Sequence, residues 1–469
     1  MEIIIIILWF LIFTKLLLFW LWFWQLKEYH LGRFLAHFEA QKVRKIISGF
    51  WRPKYPKFTK KIVAIFFTCF VAEIYLLFYF SLFWTIILTI FFFPFFALSF
   101  QIPTIIWRSI IISKAKAKRA KFKDLLVIGI TGSYGKTSTK EFLATILSKK
   151  FKVLKTKEHQ NSEVGISQCI LNDLKPEGEE DKSSSSLFAA AQGHEVFIVE
   201  MGAYNRGGIK LLCDIAGPKI GILTGINEQH MATFGSQENI IKTKYELIEN
   251  LPSDGTAFFN AKNKYCRELY NKTGIKKFLY GETAKIFGEE NLLAAIAVAK
   301  ELGMPDLEIA KAVEKIENKL PGIQQKKGIS GLIIFDATYS ANPDGVIGHL
   351  EYLKTFPGKK IIIMPCLIEL GKASREVHKR IGQKIAEVCD LAIITTKDRF
   401  KEIKEGAVII EVKPQPVRGL TSTKQPEIIF LENPEEIFEK IKSFCQKGDI
   451  VLLESRVSSE LIKQLVISE

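Results

Sequence analysis

Paired cysteines are absent from this chain of 469 residues. Its seven cysteines are scattered without a C-x-x-C spacing, which excludes the common zinc and redox-dithiol motifs and indicates reduced, mostly buried cytosolic thiols. No segment repeats at a fixed period, which excludes a solenoid. No recognisable nucleic-acid motif accompanies the net charge of +15, so nucleic acid is not the predicted partner of that charge.

Long apolar runs are missing after residue 107 and crowded before it. Residues 3–24 are long and apolar enough to cross a bilayer. A cleaved signal peptide is the alternative, but the segment lacks both a basic n-region and an A-x-A-like cleavage site. The sequence therefore predicts a first membrane span at residues 3–24.

A second apolar block covers residues 62–107, and its only charge is Glu73. Its length suffices for two spans, about 62–80 and 84–107, with a reversal near residues 81–84. A re-entrant element is the alternative, because prolines would kink or end the second helix.

Basic residues flank these apolar segments at residues 27–61 and 108–124. Because basic flanks stay in the cytoplasm, the predicted topology has three spans, an outside N-terminus and the rest of the chain inside. The prediction is thus a multi-pass protein of the cell's inner (plasma) membrane, with cytoplasmic catalytic domains and membrane lipid as a partner. Anionic lipid explains the positive charge better than nucleic acid.

From residue 125 onward, short apolar runs alternate with amphipathic helical stretches, which predicts an α/β fold with parallel strands. We expect a basic linker at 108–124, a central α/β domain at 125–320 and a second, Rossmann-like α/β domain at 321–469. The biased stretch at 176–193 is interpreted as a surface insertion. The predicted strands are Leu125–Gly129, Val196–Glu200, Ile220–Thr224, Thr256–Asn260, Leu332–Asp336, Lys360–Met364, Leu391–Thr395 and Ile450–Leu453, and the predicted helices are 137–148, 239–250 and 291–302.

The most informative stretch is residues 125–141, which read LLVIGITGSYGKTSTKE. An apolar strand ends in a glycine-rich turn and a helix follows, so backbone N–H groups and a helix N-terminus can surround phosphate oxygens. Lys136 can reach the outer phosphates and Thr137 can offer a hydroxyl to Mg²⁺. The strict G-x-x-x-x-G-K-[ST] pattern is not met, because Ile130 stands at the first glycine, and an ordinary strand-to-helix turn is the alternative. The predicted nucleotide contacts are Gly132, Ser133, Gly135, Lys136, Thr137 and Ser138.

Three further residues are candidates with structural alternatives. Glu200 ends an apolar strand, where a carboxylate could hold Mg²⁺ or form a salt bridge. His230 follows another strand, and a lone histidine is more often structural than a ligand. Lys244 lies in a helix together with Lys242, and a solvated basic face is its alternative interpretation.

Taken together, these stretches resemble the Mur ligases, which form amide bonds with ATP. The resemblance covers the chain from about residue 125 to its end and is greatest for the branch that adds D-alanyl-D-alanine. It depends on the phosphate loop TGSYGKT and, in the order of the family, on NSEVGIS at 161–167, EMGAYNRGG at 200–208, TGINEQHMATFGSQENIIKTKYELI at 224–248, DATYSANPD at 336–344 and IELGKASREVH at 368–378.

The resemblance implies the following roles, with ATP and Mg²⁺ as cofactors. Lys136 would contact the phosphates, Thr137 and Glu200 would bind one Mg²⁺, and His230 with Glu200 would bind a second. Lys244 matches a lysine that several members carry as a carbamate, so Lys136, Lys244 and His230 are the expected catalytic residues. Asn291 matches an asparagine near the nucleotide base, and Asp336 and Asn342 lie in a motif that closes over ATP.

The sequence departs from the family at several points. The motif D-D-S-Y-N-A-N-P reads DATYSANP, with Ala337 and Ser340 in place of an acid and an asparagine. Ile323 stands where an arginine usually follows Pro-Gly, and the usual K-G-S-R reads LESR at 453–456. The interval between Asn260 and Asn291 suggests shortened strands. The membrane segment stands in place of the family's uridine-nucleotide domain.

The predicted function is a membrane-anchored, ATP-dependent amide ligase of peptidoglycan precursor synthesis. It would add an amino acid or dipeptide to a carboxylate of an envelope precursor through an acyl phosphate, and a lipid-linked precursor is one candidate. The alternatives are a ligase-derived ATP-binding scaffold, which the departures at Ala337 and Ile323 favour, and a ligase that forms a γ-linked amino-acid polymer.

Overall fold

The computed structural model describes residues 2–26, 55–89, 101–158, 160–175, 193–285, 287–316, 323–338, 341–408 and 425–467. The chain divides into two compact units, Met1–Ser113 and Lys114–Glu469.

The first unit consists of apolar helices. Helix α1 spans Glu2–Leu26, α2 spans Lys60–Tyr79, and residues 82–89 are also helical. Two segments, Ile4–Gln25 and Lys60–Tyr79, are long and apolar enough to cross a membrane, a property that signal sequences and core helices of soluble proteins share. The predicted spans at 3–24 and 62–80 are therefore helices, whereas residues 90–100 of the third predicted span lie outside the described residues.

Glu73 joins three helical segments of this unit. The indole Nε1 of Trp9 donates to Glu73 Oε1 at 2.7 Å, and the hydroxyl of Thr89 donates to Glu73 Oε2 at 2.7 Å. Glu73 is almost fully buried, and a buried carboxylate needs such donors to offset its desolvation. The chain leaves the helical conformation at residues 80–81, close to the reversal predicted from the sequence.

Helix α3, Gln101–Arg119, carries the chain into the second unit. Part of the predicted linker at 108–124 is thus helical. Arg119 donates from its guanidinium to the carbonyl oxygens of Ala216 at 2.9 Å, Phe122 at 2.7 Å and Leu125 at 3.2 Å. These three bonds fix the chain directly before the first strand.

The second unit contains two six-stranded sheets with the orders β2-β3-β1-β4-β5-β6 and β11-β10-β9-β12-β8-β7. All strand pairs are parallel except β7 with β8. The strands of the first sheet are β1 Leu126–Thr131, β2 Val153–Lys155, β3 Val196–Glu200, β4 Ile220–Leu223, β5 Thr256–Asn260 and β6 Lys276–Tyr280. Those of the second are β7 Gln324–Lys327, β8 Ile333–Ala337, β9 Lys360–Met364, β10 Leu391–Ile394, β11 Glu427–Phe430 and β12 Ile450–Glu454.

Helices cover both sheets, as expected for parallel strands buried on both faces. They are α4 Lys136–Leu147, α5 Glu163–Asp173, α6 Gly208–Ala216, α7 Met231–Phe234, α8 Gln237–Glu249, α9 Lys264–Lys272, α10 Glu289–Glu301, α11 Asp306–Glu314, α12 Pro343–Leu353, α13 Ser374–Val388, α14 Phe400–Val408, α15 Pro434–Phe444 and α16 Ser459–Leu465.

All eight predicted strands are present, with ends displaced by at most two residues. The four strands that the sequence analysis missed, β2, β6, β7 and β11, are the edges of the two sheets. Edge strands need fewer apolar residues because one side faces solvent, as the sequence QQKK of β7 illustrates. The interval between Asn260 and Asn291 contains one helix and one edge strand, α9 and β6.

Strand β1 lies between β3 and β4 in the first sheet, so the chain crosses over it. In open parallel sheets, ligands bind at the carboxyl ends of the strands where the order reverses. The segments that follow β1, β3 and β4 are the predicted phosphate loop, the stretch after Glu200 and the stretch that leads to His230. The fold therefore gathers three predicted site segments at one edge.

Candidate functional site

Two glycines let the loop after β1 close tightly. Gly135 has φ 78° and precedes α4, and a Cβ there would lie 2.3 Å from Asn291 Oδ1. At Gly132 a Cβ would lie 2.1 Å from the hydroxyl of Thr224. Any larger residue would collide at either position, so the loop can pack against its neighbours only with glycine.

Serines play different parts at this loop. Ser133 is buried, its N–H donates to Gly225 O at 2.7 Å, and its hydroxyl accepts from the N–H of Asn227 at 3.2 Å. Ser133 thereby ties the loop to the segment after β4. Ser138 lies in the first turn of α4 and is partly buried.

Lys136 begins α4, and its ammonium donates to Gly132 O at 2.7 Å, across its own loop. Burial lowers the pKa of Lys136, and the carboxylate of Glu200 opposes that shift. The lysine thus lies at the loop with its charge directed toward the loop and Glu200.

Glu200, at the carboxyl end of β3, is the centre of the polar contacts. The hydroxyl of Thr137 donates to its Oε2 at 3.0 Å, and the amide of Asn161 donates to its Oε1 at 3.2 Å. Burial raises its pKa, but the charges of Lys136 and Lys140 and the two hydrogen bonds outweigh burial and lower it. Glu200 is consequently ionised at neutral pH although it is 5% exposed.

Lys140 is a site residue that the sequence analysis missed. It is fully buried, and its Nζ lies 3.2 Å from Glu200 Oε2 and 3.5 Å from Glu141 Oε1. Among the residues that the structure describes, its Nζ has no hydrogen-bond partner. Its position four residues after Lys136, one helical turn on, was the available signal. Asn161, which was in a quoted motif, was missed as well.

Lys244 is 3% exposed, whereas the side chain of Lys242 is half-exposed and forms an ion pair with Glu238 at 2.6 Å. The solvated-face interpretation therefore holds for Lys242 and is wrong for Lys244. Burial, reinforced by the charge of Lys136, lowers the pKa of Lys244 to about 7. A buried lysine of that pKa is partly neutral at physiological pH and can act as a nucleophile.

His230 precedes the short helix α7 with a φ of 64°. Its Nδ1 lies 2.6 Å from Glu369 Oε2, and its ring contacts that of Tyr204 edge-on, with 5.1 Å between centroids. Burial lowers the pKa of His230, Glu369 opposes this, and the charges of Lys244 and Lys136 lower it further. His230 is therefore within electrostatic reach of both lysines.

Thr137 and Glu200 together suit an Mg²⁺ ion. Thr137 and Glu200 place a hydroxyl and a carboxylate oxygen 3.0 Å apart, and Mg²⁺ prefers such oxygen ligands and completes its shell with phosphate and water. No three His, Cys, Asp or Glu side chains in the described part of the chain converge as a metal-binding group. The second predicted site, His230 with Glu200, needs only two such side chains and stays a prediction.

Of the remaining predicted nucleotide residues, Asn291 lies at the loop, whereas Asp336 and Asn342 belong to the part of the unit that contains the second sheet. Asn291 contacts the loop from α10, with Oδ1 3.3 Å from the hydroxyl of Thr139. Asp336 forms an ion pair with Lys326 at 2.5 Å and accepts from the N–H and hydroxyl of Thr338. Asn342 caps α12 by accepting from the N–H of Gly345 at 2.8 Å.

Residues after β4 contact the part of the unit that contains the second sheet. The amide of Asn227 donates to Asp344 Oδ2 at 2.9 Å, and Arg380 forms an ion pair with Glu228 at 3.2 Å. The amide of Gln229 donates to Ala341 O at 3.3 Å. The segment that leads to His230 is thus held from both sides, which the sequence motifs did not indicate.

Two departures from the family pattern are buried. Ile323 and Ala337 belong to one hydrophobic core of the second sheet, so neither position holds a charge. Nearby, His349 Nδ1 lies 2.7 Å from Glu454 Oε2, and both side chains are buried. Pro321, Gly322 and Ser340 lie outside the described residues.

Comparisons with known proteins identify the family of this chain. Residues 130–324 match the Mur ligase middle domain, and residues 323–456 match the Mur ligase, glutamate ligase domain. The chain is 28% identical over 340 residues to the UDP-N-acetylmuramoyl-tripeptide–D-alanyl-D-alanine ligase of Synechocystis, covering 64% of this chain and 69% of that protein. It is 25% identical over 378 residues to the Bacillus subtilis protein of the same name, covering 72% and 76%.

A solved structure shares the fold. MurF ligase from Thermotoga maritima in complex with ADP aligns with a TM-score of 0.59 at 24% identity, covering 76% of this chain and 83% of that one. Two Mur ligase domains in sequence order thus account for residues 130–456. This chain belongs to the Mur ligase family.

Proposed function

We propose that this chain is an ATP-dependent ligase that forms an amide bond on a peptidoglycan precursor. The named relatives join D-alanyl-D-alanine to a UDP-N-acetylmuramoyl-tripeptide, and a similar carboxylate and amine are the proposed substrates. One observation carries the proposal: Thr137, Asn161 and Lys140 surround the ionised Glu200 directly beside the loop after β1. This arrangement suits charge neutralisation during phosphoryl transfer.

The reaction proceeds in two steps. An oxygen of the precursor carboxylate attacks the γ-phosphorus of ATP, so that ADP leaves and an acyl phosphate forms. The acceptor amine then attacks the acyl carbon and the C–O bond to phosphate breaks, which releases inorganic phosphate and a proton. The protein contributes mainly by positioning the reactants and by stabilising negative charge.

Residues of the loop and of α4 bind the nucleotide in this proposal. Gly132, Ser133, Gly135, Lys136, Thr137 and Ser138 contact the phosphates. Thr137 and Glu200 would hold Mg²⁺, which would neutralise charge on the phosphate oxygens when bound. Asn291 contributes from α10, and Asp336 and Asn342 contribute from the second sheet.

Lys244 and His230 complete the proposed catalytic set with Lys136. The lowered pKa of Lys244 leaves a neutral fraction of amine at pH 7, and a neutral amine can add CO₂ to form a carbamate. A carbamate converts the buried cation into an anion close to Lys136. This conversion would replace the repulsion between two buried lysines by attraction.

The proposed architecture adds a membrane anchor to two catalytic domains. Residues 1–107 form a multi-pass segment of the plasma membrane, 125–320 the P-loop domain and 321–469 the Rossmann-like domain, both cytoplasmic. The two apolar helices of sufficient length support the anchor. Such an anchor would confine the site to the membrane surface, where a lipid-linked precursor is concentrated.

The test is a ligation assay of the full chain in detergent, with ATP, Mg²⁺, D-alanyl-D-alanine and UDP-linked tripeptide. We expect phosphate release that depends on both substrates. Glu200→Gln and Lys136→Ala should reduce kcat/KM at least 100-fold, because each removes a charge from the transition state. Glu249→Gln and Lys242→Ala, at exposed positions of α8, are the matched controls. Equal activity of all four variants would contradict the proposed site.

A second candidate function is an ATP-binding scaffold without turnover. The buried, uncharged Ile323 and Ala337 favour it, since both stand where the family motif has charge. This function predicts ATP binding that depends on Lys136 but no phosphate release with any envelope precursor.

A further inference from the structure

Two strained residues touch each other at the edge of the site. Among the described residues, four other than glycine have positive φ: His230, Ser330, Glu369 and Ser455. His230 and Glu369 both have φ 64°, and their side chains meet at 2.6 Å. Such backbone conformations cost free energy and persist where the surrounding structure enforces them, often at functional sites. Because two of these four residues contact each other, we infer that the strained backbone at His230 and Glu369 serves a function.

The backbone supports the same contact. The N–H of Ala232 donates to Glu369 O at 3.1 Å. Gly371 has φ 50°, and a Cβ there would lie 3.1 Å from the nitrogen of Ala232. The turn at 369–371 therefore packs closely against the turn at 230–232. The first turn follows β9 and the second follows β4.

The side-chain contact joins Glu369 Oε2 to Nδ1 of His230 at 2.6 Å. An ionised carboxylate accepts hydrogen bonds and donates none, so with Glu369 ionised the proton lies on Nδ1. The other nitrogen, Nε2, is then the acceptor of the neutral ring. The edge-on contact with Tyr204 restricts the plane of the ring. His230 therefore presents one defined nitrogen while Glu369 is in place.

We propose that Glu369 is a positioning residue that holds His230 in its Nδ1–H tautomer. Nε2 is then the nitrogen that can accept a hydrogen bond from a group at the reaction centre. Because Glu369 follows β9 and His230 follows β4, the two sheets must be docked for this tautomer to be enforced. The role in turnover rests on the proposed function, whereas the tautomer is a property of the protein alone. Carboxylates that orient a histidine through its second nitrogen commonly affect activity about 10- to 100-fold when they are removed.

The test uses two variants of Glu369 and one control in the full chain. Glu369→Gln keeps the size of the side chain without its charge. Glu369→Asn withdraws the side chain from His230, and asparagine tolerates the left-handed backbone. Glu376→Gln removes an exposed carboxylate of α13 and is the control. The readouts are ring ¹⁵N shifts of histidine-labelled protein, with His230→Gln for assignment, and kcat, KM and ATP affinity.

We expect the Nδ1–H tautomer in the wild type and in Glu376→Gln, and loss of that preference in Glu369→Asn. We expect kcat to fall at least tenfold in Glu369→Asn, with ATP affinity within twofold and an unchanged midpoint of thermal unfolding. A His230 tautomer that is unchanged in both Glu369 variants would overturn the proposal, as would a wild-type kcat in Glu369→Asn. If the wild type ligates nothing, the proposed function fails, while the tautomer measurement still decides the role of Glu369.

Discussion

Ala337 on β8 and Glu454 on β12 are direct partners in the parallel pairing of these strands. Paired residues of adjacent strands point to the same face of a sheet. The Mur motif resembled by this sequence has an acidic residue where Ala337 stands. Here a buried carboxylate is present instead on the neighbouring strand, where Glu454 contacts His349 at 2.7 Å. In this chain the buried acidic group at this point of the second sheet is thus on β12 and not on β8.

This pairing predicts that the effects of substitutions at Ala337 and Glu454 on stability partly offset each other. Glu454→Ala should lower the free energy of unfolding by roughly 1–3 kcal/mol, because it leaves His349 buried without its partner. Ala337→Asp should also destabilise, because it buries a second carboxylate beside Glu454. The double variant should be more stable than the sum of the single effects predicts. Urea unfolding of the four proteins measures this coupling, and strict additivity would show that the two positions are independent.

The phosphate loop should be intolerant of alanine at Gly135. Gly135→Ala combines backbone strain at φ 78°, roughly 1–2 kcal/mol, with a collision against Asn291. Gly207 has the same φ of 78° and also precedes a helix, but nothing lies within 4 Å of its Cβ position. We expect Gly135→Ala to lose more stability than Gly207→Ala, because the collision adds to the strain that both share, and only Gly135→Ala to lose ATP binding, measured by calorimetry. Loss of ATP binding in Gly207→Ala would mean that strain alone disturbs the site.

Lys244 should be essential for activity because it forms a carbamate, and not because of its positive charge. Arginine keeps the charge but cannot form a carbamate, so Lys244→Arg should reduce kcat at least 100-fold, whereas Lys242→Arg should be unaffected. Activity of wild-type enzyme depleted of CO₂ should rise when bicarbonate is added. Wild-type activity of Lys244→Arg, or indifference to CO₂, would contradict a carbamate.

The same lysine should make stability depend on pH when it carries no carbamate. Its pKa is about 7 in the folded protein against an ordinary 10.5, so the unfolded chain binds more protons between these values. The free energy of unfolding should therefore rise with pH from about 7 to 10. Lys244→Met should show a smaller rise over this window in denaturant titrations without CO₂, and an equal slope would contradict a lowered pKa of the buried Lys244.

Membrane topology can be tested with single cysteines. The sequence predicts an N-terminus outside the cell and a basic segment at residues 27–61 inside it. A membrane-impermeant thiol reagent should label a cysteine at position 2 of intact cells and not one at position 45. Background labelling should be low, because six of the seven native cysteines are buried and Cys445 is partly buried. Labelling at position 45 from outside would contradict the three-span topology.

A membrane anchor should favour a membrane-bound substrate. A basic surface segment contributes about 1 kcal/mol per well-placed lysine or arginine at anionic lipid, which would keep the site at the bilayer. In nanodiscs we expect a higher kcat/KM for a lipid-linked carboxylate than for its UDP-linked counterpart. If the soluble donor reacts as fast or faster, including when residues 1–107 have been removed, the segment serves only as an anchor.

The sequence by itself determined the α/β class, the interior strands of both sheets and the loop that precedes α4. These features depend on local signals: continuous apolar runs, glycines at a turn and a helix start. The sequence analysis did not predict the edge strands, because the outer side of an edge strand is solvated. Strand β7 therefore needs no apolar run. The sequence could likewise identify Lys136 and Glu200 as candidates, because each lies next to such a local signal.

Tertiary structure decided which polar residues meet. Lys242 and Lys244 are indistinguishable as neighbours in sequence, and only the packing of α8 buries one and exposes the other. Lys140 became a neighbour of Glu200, and Glu369 became a partner of His230, because chain segments from different strands converge at one sheet edge. Burial then set the protonation states, since the pKa of a group depends on the charges and solvent around it. None of these distances is encoded in the spacing of residues along the chain.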